Sequence, residues 1–174
     1  MLAWSPATFL APVHLLSYST LLGMQLYQSF VMTKISYQAL PRSSFTTLQK
    51  RVFPMYFRGQ SLLLLLTAIT IPPNGPFTLH ASKSNWIPFA IAGATALLNL
   101  LVYGPRTRQV MIDRIHQETR DGGKLSQSNP SDDMKTLNKS FSRNHAMSIH
   151  LNLVTIGALI WWGIKLASKL DVHV

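Results

Sequence analysis

The chain has no cysteine among its 174 residues, so it holds no disulfide framework, no thiol nucleophile and no cysteine-based zinc site. It is also poor in charge: Asp, Glu, Lys and Arg make up 13% of it, against about 25% in an ordinary soluble protein. Acids are the scarcest, six against sixteen Lys and Arg, for a formal net charge of +10. There is no Gly-rich phosphate loop, no Ser nucleophile elbow and no carboxylate pair set for general acid-base work. His145 and His150 are five apart, not the three or four that put two ligands on one helix face, and no carboxylate stands beside them. A non-enzymatic chain without metal or cofactor is expected. The opening MLAWSPATFLAPV has neither the basic start of a secretory signal nor the Arg-rich pattern of a transit peptide, so the first apolar stretch is read as an uncleaved signal-anchor.

The charge deficit is local. Phe9 to Thr33, Gly59 to Ser82, Asn85 to Gly104 and Ala146 to Ile164 carry no Lys, Arg, Asp or Glu. Each holds an apolar run of about 17 to 25 residues, enough at about 1.5 Å per residue to cross a hydrocarbon core about 30 Å thick. A soluble bundle would need polar faces at a helical period, and LLLLLTAITI and LVTIGALIWWGI have none. Backbone groups in lipid must be satisfied within their own segment, so the spans are helical and no sheet is expected. The fold class that follows is all-α, an integral membrane four-helix bundle with short amphipathic cytosolic helices. One membrane domain covers 1–174, with spans near 9–33, 56–72, 86–104 and 145–165 and cytosolic connections 34–55 and 105–144.

What charge there is sorts by connection. The first holds Lys34, Arg42, Lys50, Arg51 and Arg58 without an acid, and the third holds Arg106, Arg108, Arg114, Arg120, Lys124, Lys135, Lys139 and Arg143. Between spans two and three lies Lys83, and after span four Lys165 and Lys169. The positive-inside rule then places the first and third connections in the cytosol and both termini on the far side. Arg42, Arg58, Arg106 and Arg143 are candidate lipid-headgroup contacts. Arg58 is placed at the cytosolic entrance of span two, its methylenes along lipid and its head among phosphates; the alternative is a buried Arg paired with a polar group on another helix.

The connections carry their own patterns. Phe45, Leu48, Val52 and Tyr56 recur at helical spacing with Lys50 and Arg51 turned elsewhere, as in a short amphipathic helix in the headgroup layer. PRTRQVMIDRIHQETRDGG reads as a helix extending out of the membrane and stopped at Gly122-Gly123, and its alternating acids and bases argue against a nucleic-acid arm. KLSQSNPSDDMKT reads as a mobile polar loop with Asp132 and Asp133 a solvated pair. IPPNGPFTLHASKSNW should be irregular, and Trp86, Trp161 and Trp162 are read as interface anchors.

Within the spans, His14, Tyr18, Gln25 and Gln28 share one face of the first helix, and His145, Ser148, Asn152 and Thr155 share one face of the fourth. Gln60 and Asn99 add one group each. His14, Gln25, Asn99, His145 and Asn152 therefore form a candidate intramembrane polar cluster. Three readings stand: helix-to-helix glue, a path for a small molecule or ion, or a catalytic or metal site. Small residues support glue, with Gly23, Ala90, Ala92, Gly93, Ala94, Ala96, Gly157 and Ala158 permitting close approach.

An ordered set of short pieces carries a resemblance: HLL at His14, GMQ at Gly23 to Gln25, LPRSSF at Leu40 to Phe45, FPMYF at Phe53 to Phe57, PRT at Pro105 to Thr107, RNH at Arg143 to His145, then Asn152-Leu153. Over roughly residues 13 to 160 the chain resembles the transmembrane protein 205-like family of four-span eukaryotic proteins, whose shared region is a domain of unknown function. It departs from that pattern in its Pro-rich second connection and in Gly104, where an acid is expected. The resemblance implies a protein of the endoplasmic reticulum or another endomembrane that influences trafficking or small-molecule handling. The resulting expectation is an accessory subunit or scaffold that works through membrane lipids and a protein partner or homo-oligomer, without nucleic acid. A small transporter or channel is the alternative.

Overall fold

The computed structural model describes residues 6–122 and 130–169. Among these residues there is no strand. The first helix runs as α1 (Pro6–Leu26), a π-helical segment π1 (Tyr27–Met32) and α2 (Thr33–Ala39), broken at Leu40-Pro41. Pro41 stops it because a residue before proline is pushed out of the helical region, and Leu40 is extended. The second, α3 (Arg42–Ile69), is one uninterrupted helix of 28 residues. A short α4 (Pro76–His80) leads into α5 (Lys83–Leu98), a second π-helical segment π2 (Asn99–Tyr103) and α6 (Gly104–Arg120). The last helix, α7 (Asp132–Ala167), has 36 residues. Four helices are long and apolar enough to cross a membrane: Ala7–Ala39, Arg42–Ile69, Lys83–Arg120 and Asp132–Ala167.

The amphipathic segment expected in the headgroup layer at the first connection is therefore not a separate surface helix, whereas the helix of the third connection does extend out of its span as expected. Each is continuous with a span, because nothing between Arg42 and Phe57 or between Tyr103 and Arg120 breaks a helix; Pro54 is carried inside α3. Similarly, Asp132 and Asp133 do not lie in a loop. They form the first turn of α7, where carboxylates suit the positive end of the helix dipole. Ser131 caps that turn by accepting the Met134 N–H at 3.2 Å, and donates to the Asp121 carboxylate at 2.7 Å, tying the end of α6 to the start of α7. Helix α6 does stop at the Gly-Gly pair: Gly122 takes φ 75°, open to glycine and costly for side chains. Of the expected loop, residues 124–129 lie outside the described residues.

Around the bundle α1 neighbours α3, α3 neighbours α5, α5 neighbours α7 and α7 closes on α1, leaving α3 and α7 opposed across the centre. The apolar core joins Tyr18, Leu21, Leu64, Ile71, Phe89, Ala92, Ala96, Ala158, Leu159 and Trp162. Outward, Leu16, Leu62, Leu65, Leu101 and Ile164 are widely exposed, as lipid-facing side chains should be. Ala92, Ala96 and Ala158 are buried as packing residues, but Gly23, Gly93 and Gly157 have open space where a Cβ would sit, so they mediate no close approach within the chain. Gly163, unremarked in the sequence, does: a Cβ there would collide with the Tyr18 hydroxyl, which donates to the Leu159 carbonyl at 3.1 Å.

Candidate intramembrane polar site

Two layers of buried polar groups cross the bundle. In the first, the indole N–H of Trp162 donates to His14 Nε2 at 3.1 Å, and His14 Nδ1 lies 2.9 Å from the Thr67 carbonyl. Indole can only donate, so Nε2 is the accepting nitrogen and Nδ1 carries the proton, which it gives to Thr67. Thr67 is in the last turn of α3, whose carbonyls lack backbone N–H donors from a further turn; its carbonyl accepts from the Thr70 hydroxyl at 3.3 Å and from His14, which together complete that helix end. Phe89 packs edge-on against Trp162 with ring centroids 4.9 Å apart, bringing α5 into the layer. Trp162 is thus a core residue and not an interface anchor, whereas Trp161, one position earlier, is half-exposed.

The second layer centres on Asn152. Its Oδ1 accepts from the Tyr56 hydroxyl at 2.7 Å and from Gln60 Nε2 at 3.1 Å, and its Nδ2 donates to Ser29 Oγ at 2.8 Å. One amide thereby joins π1, α3 and α7, reaching across the centre of the bundle. One turn along α7, the Ser148 carbonyl accepts from Asn99 Nδ2 at 3.0 Å, and one turn the other way Thr155 shares a hydrogen bond with Thr95 at 2.7 Å. Ser29 lies in π1, and Asn99 opens π2. A π segment inserts a residue into the helical register and turns a side chain that would otherwise point away, and such segments recur at functional positions.

Of the five residues in the expected cluster, His14, Gln25 and Asn99 are fully buried and Asn152 is partly buried. His145 does not join them. It stacks on Phe141 at 5.3 Å, and the Arg114 guanidinium lies 4.6 Å over the other aromatic partner in that stack, Phe141, nearer the basic end of the bundle. Two turns separate His145 from Asn152, so a shared helix face does not mean a shared depth. Gln25 is enclosed completely, yet neither end of its amide has a hydrogen-bond partner among the described residues; Gln60 Oε1 and Asn99 Oδ1 are likewise unpaired. Tyr56 and Ser29 were missed as partners. Tyr56 is four residues before Gln60, the spacing of a shared face, and that was the available signal.

The arginines separate by depth. Counted along their helices from the layer of Thr67, Phe89 and Trp162, Arg51, Arg106 and Arg143 are sixteen, seventeen and nineteen residues away, about 24 to 29 Å. They form one exposed rim with Lys34. Arg58 is nine residues from that layer, about 13 Å, and so sits two turns inside the rim, level with Gln60 and Asn152. It is exposed, on the outward face of α3 between Met55 and Leu62. Arg58 is therefore not buried against another helix of this chain, and it stands about 10 Å along α3 from Arg51. Arg42 is above the rim, 3.9 Å from Glu118.

Among the described residues no three His, Cys, Asp or Glu side chains gather as a metal-ligand set would. The family described as Domain of unknown function (DUF4149) matches residues 16–116, from within α1 to within α6. The chain belongs to the DUF4149 family. This DUF4149 protein is also similar to the Xanthocillin biosynthesis cluster protein D of Aspergillus fumigatus, 44% identical over 161 residues that cover 92% of this chain and 91% of the relative. No solved structure matches the DUF4149 chain. The matched region carries Gln25, Gln60 and Asn99 together with Arg51 and Arg58.

Proposed function

We propose that this protein is a non-enzymatic, four-span accessory subunit or scaffold of a membrane complex. The observation that carries this reading is the use made of Asn152: Tyr56, Gln60 and Ser29 all bond to its amide, binding three helices at one point. Such bonds inside a membrane contribute roughly 0.6 kcal/mol each, and together they fix the register of a small bundle. The relative's name, which places it in a biosynthesis cluster, supports service beside biosynthetic enzymes. The resemblance to the transmembrane protein 205-like family supports an endomembrane location such as the endoplasmic reticulum and a link to trafficking. With the basic rim turned to the cytosol, as the positive-inside rule directs, the protruding parts of α6 and α7 meet cytosolic partners.

Purification from the native host in a gentle detergent, with identification of what remains attached, tests the proposal. A stoichiometric protein partner is expected. Solute movement by the purified protein alone in liposomes, abolished by Asn152→Leu, would overturn it. One observation favours that second reading, a small transporter: the Gln25 amide, buried without a partner among the described residues, is a group that a passing polar solute would satisfy.

A further inference from the structure

Between α1 and α3 an open groove of about 470 Å³ runs down the outside of the bundle, lined by Met24, Gln28, Arg51, Val52, Met55 and Tyr56. Its chemistry changes with depth. Arg51 stands at the rim, Gln28 and Tyr56 lie further in, and Met24 lies deepest, packed against Gly59 of α3, whose Cβ would meet the Met24 sulfur at 3.7 Å. A cation at the mouth, an amide below it and flexible thioethers along the wall match an amphiphile with an anionic head, a polar waist and an apolar tail.

Arg58 supplies a second and independent demand for an anion. It follows Arg51 by seven residues, about 10 Å along α3, on a face otherwise made of exposed Met55, Leu62 and Leu65. The connection from Lys34 to Arg58 contains no acid, and among the described residues neither Arg51 nor Arg58 forms an ion pair. A guanidinium left in hydrocarbon is costly. Helical side chains lean toward the N-terminus of their helix, which for α3 is the rim, so Arg58 leans toward Met55 and the mouth of the groove. We infer that this face of α3 binds one anionic phospholipid, its phosphate drawn inward between Arg51 and Arg58 and an acyl chain lying in the groove against Met24 and Met55. The site is independent of the accessory-subunit reading and stands or falls separately. An acidic helix of a partner protein would satisfy Arg58 equally, but it would leave the groove, with its polar waist at Gln28, unaccounted for.

The test is native mass spectrometry of the full chain released from nanodiscs containing equal parts of phosphatidylserine and phosphatidylcholine. Retention of one phosphatidylserine per chain is expected, falling about fivefold in Arg51→Gln and again in Arg58→Gln, and also in Met55→Trp, which fills the groove without touching charge. Arg106→Gln, at the same height on another helix, should leave retention unchanged. Equal retention of the two lipids, or equal loss in Arg106→Gln, overturns the site. So does crosslinking from position 58 to a co-purified membrane protein in place of lipid.

Discussion

Trp162 and His14, 148 positions apart, share a buried hydrogen bond of 3.1 Å, and the imidazole passes the link on to the end of α3. Replacing His14 by Phe keeps the bulk and removes both bonds, leaving the indole N–H unmatched. A buried unsatisfied group costs about 1 to 3 kcal/mol, so the melting temperature in detergent should fall. A variant as stable as the parent would mean that the imidazole is not what holds Trp162.

Asn152→Leu should be more damaging than Gln60→Leu, since it breaks three bonds where Gln60→Leu breaks one. Because Gln60 acts on Asn152, the double variant should lose less than the two single losses added together, with a coupling of roughly 0.5 to 3 kcal/mol. Denaturation of the four proteins of that cycle supplies the number, and strict additivity would show the two amides to be independent.

Gln25→Met should stabilise. Methionine keeps a similar length and removes an amide that has no partner at either end, recovering part of an unsatisfied-group penalty of about 1 to 3 kcal/mol. Destabilisation would reveal that the amide is satisfied in the membrane by a group from outside the chain. Thermal unfolding in lipid nanodiscs distinguishes the two outcomes.

Gly163→Ala drives a methyl group into the Tyr18 hydroxyl. Loss of the Tyr18 to Leu159 bond, with displacement of α1 from α7, should cost about 1 to 3 kcal/mol. Tyr18→Phe, which removes the colliding oxygen, should return part of that loss when combined with it. No recovery in the combined variant would mean that the close approach is not at Tyr18.

The spans were legible because lipid excludes charge so strictly that its absence over four stretches marks them directly. The inward faces of α1 and α7 were legible for a related reason: His14, Gln25 and Asn152 are expensive unless enclosed, so their spacing reports a packed side. Depth was not legible. Arg58 and Arg143 look alike as the last charges before apolar runs, yet hydrogen bonds between helices place them about 15 Å apart in height. Nor does a helical period anticipate π1 and π2, which depend on what the neighbouring helices require. The same limit separates Trp161 from Trp162, and it grouped His145 with side chains two turns away.

Helices α6 and α7 continue well past the arginine rim, to Arg120 and from Asp132, whereas the 70–82 connection at the opposite end holds the short α4. The described residues are lopsided, with their longest helical extensions on the side of the arginine rim. A soluble protein that binds it has one side from which to approach, and a protease added to sealed vesicles would clip the hairpin near Asp121 from that side alone.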